Sequence, residues 1–243
     1  MRYLFLAIAL IFSLGNTENA PPNAIQDLVD RDQYDAAFDL ARKDALAGDG
    51  EAHDWLGWFY ENGRGTNVDM SAAEFHYRAA AREGENHARW RLGVLIDTGE
   101  IAGKLEEAVD FFQEAADDDY VEGVVSLAVM QATGRGTKQD YPAALGNYMK
   151  AAQLGDDHAV RGVGVMLYNG QGVEANKEEA AAWFLVSAAR GNDEGENSLR
   201  MVISELEDVD LDAISARAKE IAQELDLPID IQTEASKDKS TVQ

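Results

Sequence analysis

The chain of 243 residues contains no cysteine, which removes disulfide frameworks, thiol nucleophiles and cysteine-ligated zinc or iron centres together. It is also short of positive charge: 21 Lys and Arg stand against 45 Asp and Glu, a formal net charge of −24. A surface of that sign repels phosphate backbones and anionic lipid headgroups, so nucleic acid is excluded as a partner and so is electrostatic docking on a membrane. A solvated acidic tail is excluded in turn by the apolar content: 46% hydrophobic and 8% aromatic residues suit a folded core.

Long hydrophobic runs are scarce as well. The one that stands out, Tyr3 to Leu14 (YLFLAIALIFSL), follows Arg2 and gives way to Asn16, Thr17, Glu18 and Asn19. It is about a dozen residues long, whereas a helix needs about 20 to cross a bilayer. Charge, apolar centre and polar exit read as a secretory signal peptide over residues 1–15, with Ser13 and Gly15 as the small pair before a cut at Asn16; cleavage as late as Ala20 is the alternative. The expectation is a periplasmic or secreted protein with no stable membrane insertion after cleavage. Pro21 and Pro22 mark the start of the folded part.

What the chain does have is an internal repeat. Leu56, Leu92, Leu127 and Val163 fill one slot at spacings of 36, 35 and 36 residues. A small residue follows each of them (Gly57, Gly93, Ala128, Gly164), and another precedes each by four (Ala52, Ala88, Gly123, Ala159). Further series run through Ala37, Ala73, Ala108, Ala144 and Ala180, and through Gly48, Gly84, Asp119, Gly155 and Gly191. Each unit reads as two helices. The first carries apolar residues at helical spacing, as at Ala52, Trp55, Leu56, Phe59 and Tyr60, and stops at a loop glycine such as Gly63. The second, near residues 71–83 in the first unit with Ser71 as its expected cap, carries an alanine and aromatic stripe: Ala73, Tyr77, Ala80 and Ala81. One such pair cannot bury its own apolar face, so the pairs must stack.

The pattern A-x-x-x-L-G…G-x-G…A-x-x-aromatic-aromatic-x-x-A-A-x-x-G, seen best over Val121 to Gly155 and His158 to Gly191, resembles the Sel-one-like repeat, a relative of the tetratricopeptide repeat. The resemblance implies an all-α protein, a right-handed α-solenoid with a concave inner face formed by the first helix of each pair. Its extent here is residues 21–225, with four full repeats at about 51–85, 86–120, 121–156 and 157–192, a capping helix at each end and a disordered tail over 226–243. Two departures stand out: Gly99 is followed by a displaced Gly103, and Asp119 replaces an end glycine.

Chemical motifs dissolve on inspection. The three G-x-G copies each follow a helix and recur with the repeat, so they are turns and not a dinucleotide fingerprint. His87 and His158 share one slot of different units and do not converge, and no zinc-spaced histidine set exists among the four histidines. The acidic run Asp117 to Asp119 lacks the alternation of a calcium loop. No cofactor or metal is implied, and with no serine beside a plausible base the chain reads as non-catalytic.

Helical geometry turns the positions two before, two after and five after the leucine slot toward the concave side. These give Asp54, Trp58 and Glu61 in the first unit, Trp90, Val94 and Asp97 in the second, Val125, Val129 and Ala132 in the third, and Arg161, Val165 and Tyr168 in the fourth. Aromatics and arginine commonly anchor interfaces, so Asp54, Trp58, Glu61, Trp90, Asp97, Arg161 and Tyr168 form the candidate partner-binding set. On this expectation Trp58 and Trp90 anchor a protein or peptide partner and Asp54, Glu61 and Asp97 select basic groups on it. The resemblance implies an interaction scaffold or regulatory adaptor of the cell envelope. The alternative is a module that binds or hydrolyses cell-wall fragments, as similar cysteine-rich proteins do; the missing cysteines weigh against it.

Overall fold

The computed structural model describes residues 24–229. The expected signal peptide, residues 1–15, and positions 230–243 of the expected tail lie outside the described residues. Twelve helices and no strand occur among the described residues. A short α1 (Ala24–Asp30) and α2 (Tyr34–Leu46) precede four helix pairs: α3 (Gly50–Asn62) with α4 (Met70–Glu83), α5 (Asn86–Thr98) with α6 (Leu105–Asp117), α7 (Val121–Thr133) with α8 (Tyr141–Gln153), and α9 (Asp157–Asn169) with α10 (Lys177–Ala189). The chain closes with α11 (Asp193–Glu205) and α12 (Leu211–Glu224). From α1 to α11 each helix packs on the next, which makes a stack rather than a bundle.

Helix starts are set by short polar side chains. Asp49, Asp69, Asp140, Asp156, Asn176, Asn192 and Asp210 each accept a hydrogen bond from the backbone amide three residues on. The expected cap Ser71 is displaced by Asp69, whose carboxylate takes the Ala72 amide at 3.0 Å; Ser71 sits inside α4, exposed. Starting the helix at Met70 leaves Asp69 extended and free to reach back, and a carboxylate there also answers the positive helix end. At the other end the first helices stop on left-handed glycines such as Gly63 (φ 62°). Asp119 takes the same left-handed conformation (φ 58°) where the other units have glycine, one of the few residue types besides glycine that tolerate it.

Close packing within a pair depends on the small slot after the leucine. A Cβ added at Gly57 would stand 2.5 Å from the Tyr77 ring, at Gly93 2.5 Å from Phe112, and at Gly164 2.6 Å from Phe184. The ring of the second helix therefore lies flat against the backbone of the first. Tyr77, Phe112 and Phe184 are buried as a result, together with Leu56, Leu92, Leu127 and Val163. The third unit has Ala128 in the slot; there the Tyr148 ring turns to the following helix, where a Cβ on Gly162 would meet it at 2.8 Å. Between pairs the same economy recurs: Gly123 leaves room for Ala115, and Gly195 for Ser187.

Three features go beyond the sequence expectation, two of them at the ends. An additional helix, α1, seals the start of the stack through buried Ile25. The second-unit loop places Ile101, 7% exposed, in the core, and its Gly103 backs onto Ile96. Residues 226–229, assigned to the tail, still belong to the fold: the Leu227 amide donates to the Ala222 carbonyl at 2.8 Å, and Leu227 and Ile229 pack on the core. Helix α12 leans mainly on α10, so α10 is covered by α9, α11 and α12 and buries seven residues around its circumference, Trp183 and Phe184 included.

Two glycines test the packing with opposite signs. Gly93→Ala drives a methyl group into the Phe112 ring and should lower the unfolding free energy by about 1–3 kcal/mol in denaturant titration. Gly146→Ala, in α8 with nothing within 4 Å of the added carbon, should raise it by about 0.5–1 kcal/mol.

Candidate interaction surface

The candidate residues lie on the first helices of their units and do not form one pocket. Asp54, Trp58 and Glu61 share α3, Trp90 and Asp97 share α5, and Arg161 and Tyr168 share α9. All are partly buried. The structure joins them to neighbouring repeats more than to one another. Arg91 Nε donates to Glu61 at 3.0 Å, and its terminal nitrogen reaches the other oxygen of that carboxylate. The Tyr77 hydroxyl donates to Glu61 as well, at 2.8 Å. One carboxylate thus ties α3, α4 and α5. Burial first, and then the Glu61 charge, push the Tyr77 hydroxyl well above the usual tyrosine pKa. Asp54 binds His87 Nδ1 at 2.8 Å, and the His87 ring lies 5.8 Å from that of Trp90. Burial opposes charging of His87, but the hydrogen bond and charge of Asp54 outweigh it and hold the imidazole above its ordinary pKa.

The remaining candidates follow the same rule. Trp90 Nε1 donates to Ser126 Oγ of the next first helix at 3.1 Å. Asp97 accepts from Arg135 at 2.6 Å, the arginine between loop glycines Gly134 and Gly136. Arg161 pairs with Glu194 at 3.3 Å. The Tyr168 hydroxyl donates to Glu205 at 2.8 Å, and Lys177 holds the same carboxylate at 2.8 Å. Trp58 rests in an aromatic group with its ring centroid 6.4 Å from Tyr34, 5.8 Å from Trp55 and 5.3 Å from Phe59. The acids that were expected to select basic groups on a partner are therefore already bound to arginine or histidine side chains of this chain. Their partners were missed because isolated helices reveal a face, not a neighbour; opposite charges 30–38 residues apart were the available signal.

Subtracting these pairs leaves a simpler surface. In the middle of the stack Val94, Val125, Val129, Ala132 and Val165 carry neither charge nor hydrogen-bonding side chain, and Val129 is 37% exposed. The Asp97–Arg135 and Arg161–Glu194 pairs lie on either side along the solenoid. No group of three or more His, Asp or Glu residues among the described residues is arranged to hold a metal ion.

The Sel1 repeat matches residues 50–85, 86–120, 122–156 and 158–192. The chain belongs to the Sel1 repeat family. Sel1 repeat proteins are generally non-catalytic protein-interaction scaffolds. Among curated relatives, an uncharacterized protein of Neisseria meningitidis serogroup B is 31% identical over 159 residues, 65% of this chain and 33% of its own. The Sel1-repeat-containing protein YjcO of Escherichia coli is 30% identical over 153 residues, 60% of this chain and 64% of its own. The chain thus spans from a third to just under two thirds of these relatives. The solved Sel1 repeat protein of Oxalobacter formigenes superposes with a TM-score of 0.71 at 24% identity, covering 82% of this chain and 83% of that one. A protective antigen of uropathogenic Escherichia coli superposes at 0.70 with 23% identity, over 85% of this chain and 44% of that one. At those identities the likeness establishes the solenoid fold.

In the first unit of the Sel1 stack sits a second histidine contact. His53 Nδ1 and His76 Nδ1 are 2.9 Å apart with ring centroids at 5.1 Å, about as far as two imidazoles stand when those nitrogens face each other, so one N–H donates to the other lone pair. Tyr60 stacks on His76 at 5.6 Å. Burial first, then His53, lowers the His76 pKa to about 4. His76 therefore stabilises the fold fully above its unfolded value of about 6.5, and the contribution is lost as pH falls toward 4. His87 acts in the opposite sense: its pair with Asp54 stabilises below about 6.5 and fades as pH rises through the elevated folded value. Thermal melts at pH 7 and pH 4.5 should show that His76→Leu removes about 1 kcal/mol of the acid-side loss seen in the parent chain, solvent access being allowed for. An unchanged acid-side loss would assign it to other groups.

Proposed function

We propose that this protein is an exported, non-catalytic adaptor of the cell envelope that holds a segment of another protein along the first helices of its repeats. The observation that carries this reading is the uncharged floor of Val94, Val125, Val129, Ala132 and Val165, set among charged residues that are already paired within the chain. Apolar side chains left open in an otherwise acidic and well-paired surface are what partner burial stabilises, at about 25 cal/mol per Å² removed from water. Trp58 and Trp90 flank that floor as half-buried rings able to add contact area with little loss of conformational freedom. Export rests on the Arg2 charge, the apolar run that follows it and the Ser13 and Gly15 pair.

The non-catalytic part of the reading draws on the family and on the engaged carboxylates. Asp54, Glu61 and Asp97 each meet a cationic or histidine partner, which suits linkage between repeats and leaves none of them poised as a general base.

Photocrosslinking in cells tests the reading. A photoreactive residue at Val129 should trap a specific protein in the envelope fraction, the same residue at exposed Asp110 on α6 should not, and the crosslinked chain should begin at Asn16. Equal labelling from both positions would remove the floor as the interaction surface, and recovery of the intact chain from the cytoplasm would remove the envelope role.

A further inference from the structure

The first helices carry one row in which every member is apolar: Trp58, Val94, Val129, Val165 and Met201, each two residues past its leucine slot and one per repeat from α3 to α11. Val129 and Met201 are 37% and 44% exposed, and the other three are half-buried. In the first three units the row's carbonyls already accept a side-chain hydrogen bond from the same helix, from Asn62 at 2.9 Å, Thr98 at 3.0 Å and Thr133 at 2.7 Å. The row therefore offers side-chain contact and not a ladder of free backbone acceptors.

From this row we infer the chemistry of the bound segment: an extended, polyproline-like stretch with an apolar side chain at every third residue and a Lys or Arg beside alternate ones. The inference rests on the adaptor reading above. First helices α3 and α5 meet through Arg91 and Glu61, α5 and α7 through Trp90 and Ser126, and α9 and α11 through Arg161 and Glu194, and helices in contact stand about 8–10 Å apart. A β-strand presents side chains on one side about every 6.7 Å, and an α-helix advances about 5.4 Å per turn. A polyproline II segment advances about 9.3 Å in three residues, which matches one apolar residue per repeat and gives about 13 residues for all five.

Charge supplies the second element. The positions five before the leucine slot lie on the same helical face and run Glu51, His87, Glu122, His158, Glu194. Arg161 holds Glu194, while Glu51 and Glu122 stand at alternate repeats beside the apolar row on a chain of net charge −24, so a segment with basic residues beside its apolar ones is favoured over a neutral or acidic one.

The test is fluorescence anisotropy on the full chain with labelled 13-residue peptides. One repeats Leu-Pro-Lys; a second has the same composition with leucines at alternate positions; a third, of Leu, Ala and Lys, has leucines at helical spacing; a fourth is the first with every leucine changed to serine. The triplet peptide should bind about tenfold or more tighter than each of the others. Val129→Asp, a half-exposed position whose variant is checked for helicity by circular dichroism, should cost about tenfold in its affinity, and Glu122→Lys should weaken it as well. Should the alternate or helical peptide bind as tightly and still depend on Val129, the triplet register is overturned while the adaptor surface stands. Binding of the triplet peptide that is indifferent to Val129→Asp, or no binding by any peptide, overturns the proposal and the floor with it.

Discussion

The seating of an aromatic ring on a bare backbone, Tyr77 on Gly57, Phe112 on Gly93 and Phe184 on Gly164, is the contact on which the rest of the molecule depends. It brings the two helices of a pair close enough that the leucine slot and the alanine stripe are sealed from water. A pair so closed still has apolar flanks, and only another pair can cover them, so the stack follows from the same residues. Where the third unit substitutes Ala128, the ring of Tyr148 serves the next junction instead. The fold tolerates the exchange because Gly162 supplies the missing space one helix later.

Stacking then decides what the charged residues do. With 45 acids the chain needs its few cations at the joints, and Arg91, Arg135, Arg161, Lys177 and Arg217 each bridge to an acid 28–38 positions away or on a neighbouring repeat. Pairs this close to the core are screened less than exposed ones, and a three-way arrangement such as Glu61 with Arg91 and Tyr77 couples three helices at once. What the joints leave over along the row from Trp58 to Met201 is apolar. The surface proposed for a partner is in that sense a remainder: it is defined by which side chains the repeats have not used on each other.

Much of this was legible in the sequence. The leucine and glycine series spell out four units, and four Sel1 repeats are matched along the chain. Asp119 stood out only as a departure from the glycine series, and the structure shows that it keeps the left-handed conformation of the slot. Helix α1 was not legible, since seven residues anchored by one buried isoleucine have no counterpart in any repeat. Nor was the cap at Asp69, where aspartate and serine two residues apart are both competent and only the backbone's entry angle chooses. For the surface, helical angles put Asp54, Glu61 and Asp97 on the inner side, yet whether a neighbour's cation reaches them depends on the stacking offset, and Arg135 arrives from a loop outside that reasoning.

The division between joints and partner surface is tested most directly by a double-mutant cycle on Glu61 and Arg91, using Glu61→Gln and Arg91→Met alone and together, read by equilibrium unfolding of the full chain. If the inner carboxylates hold the repeats together, the two substitutions should couple by about 1 kcal/mol or more. Additive effects, with coupling indistinguishable from zero, would contradict that assignment and return Glu61 to the residues available to a partner.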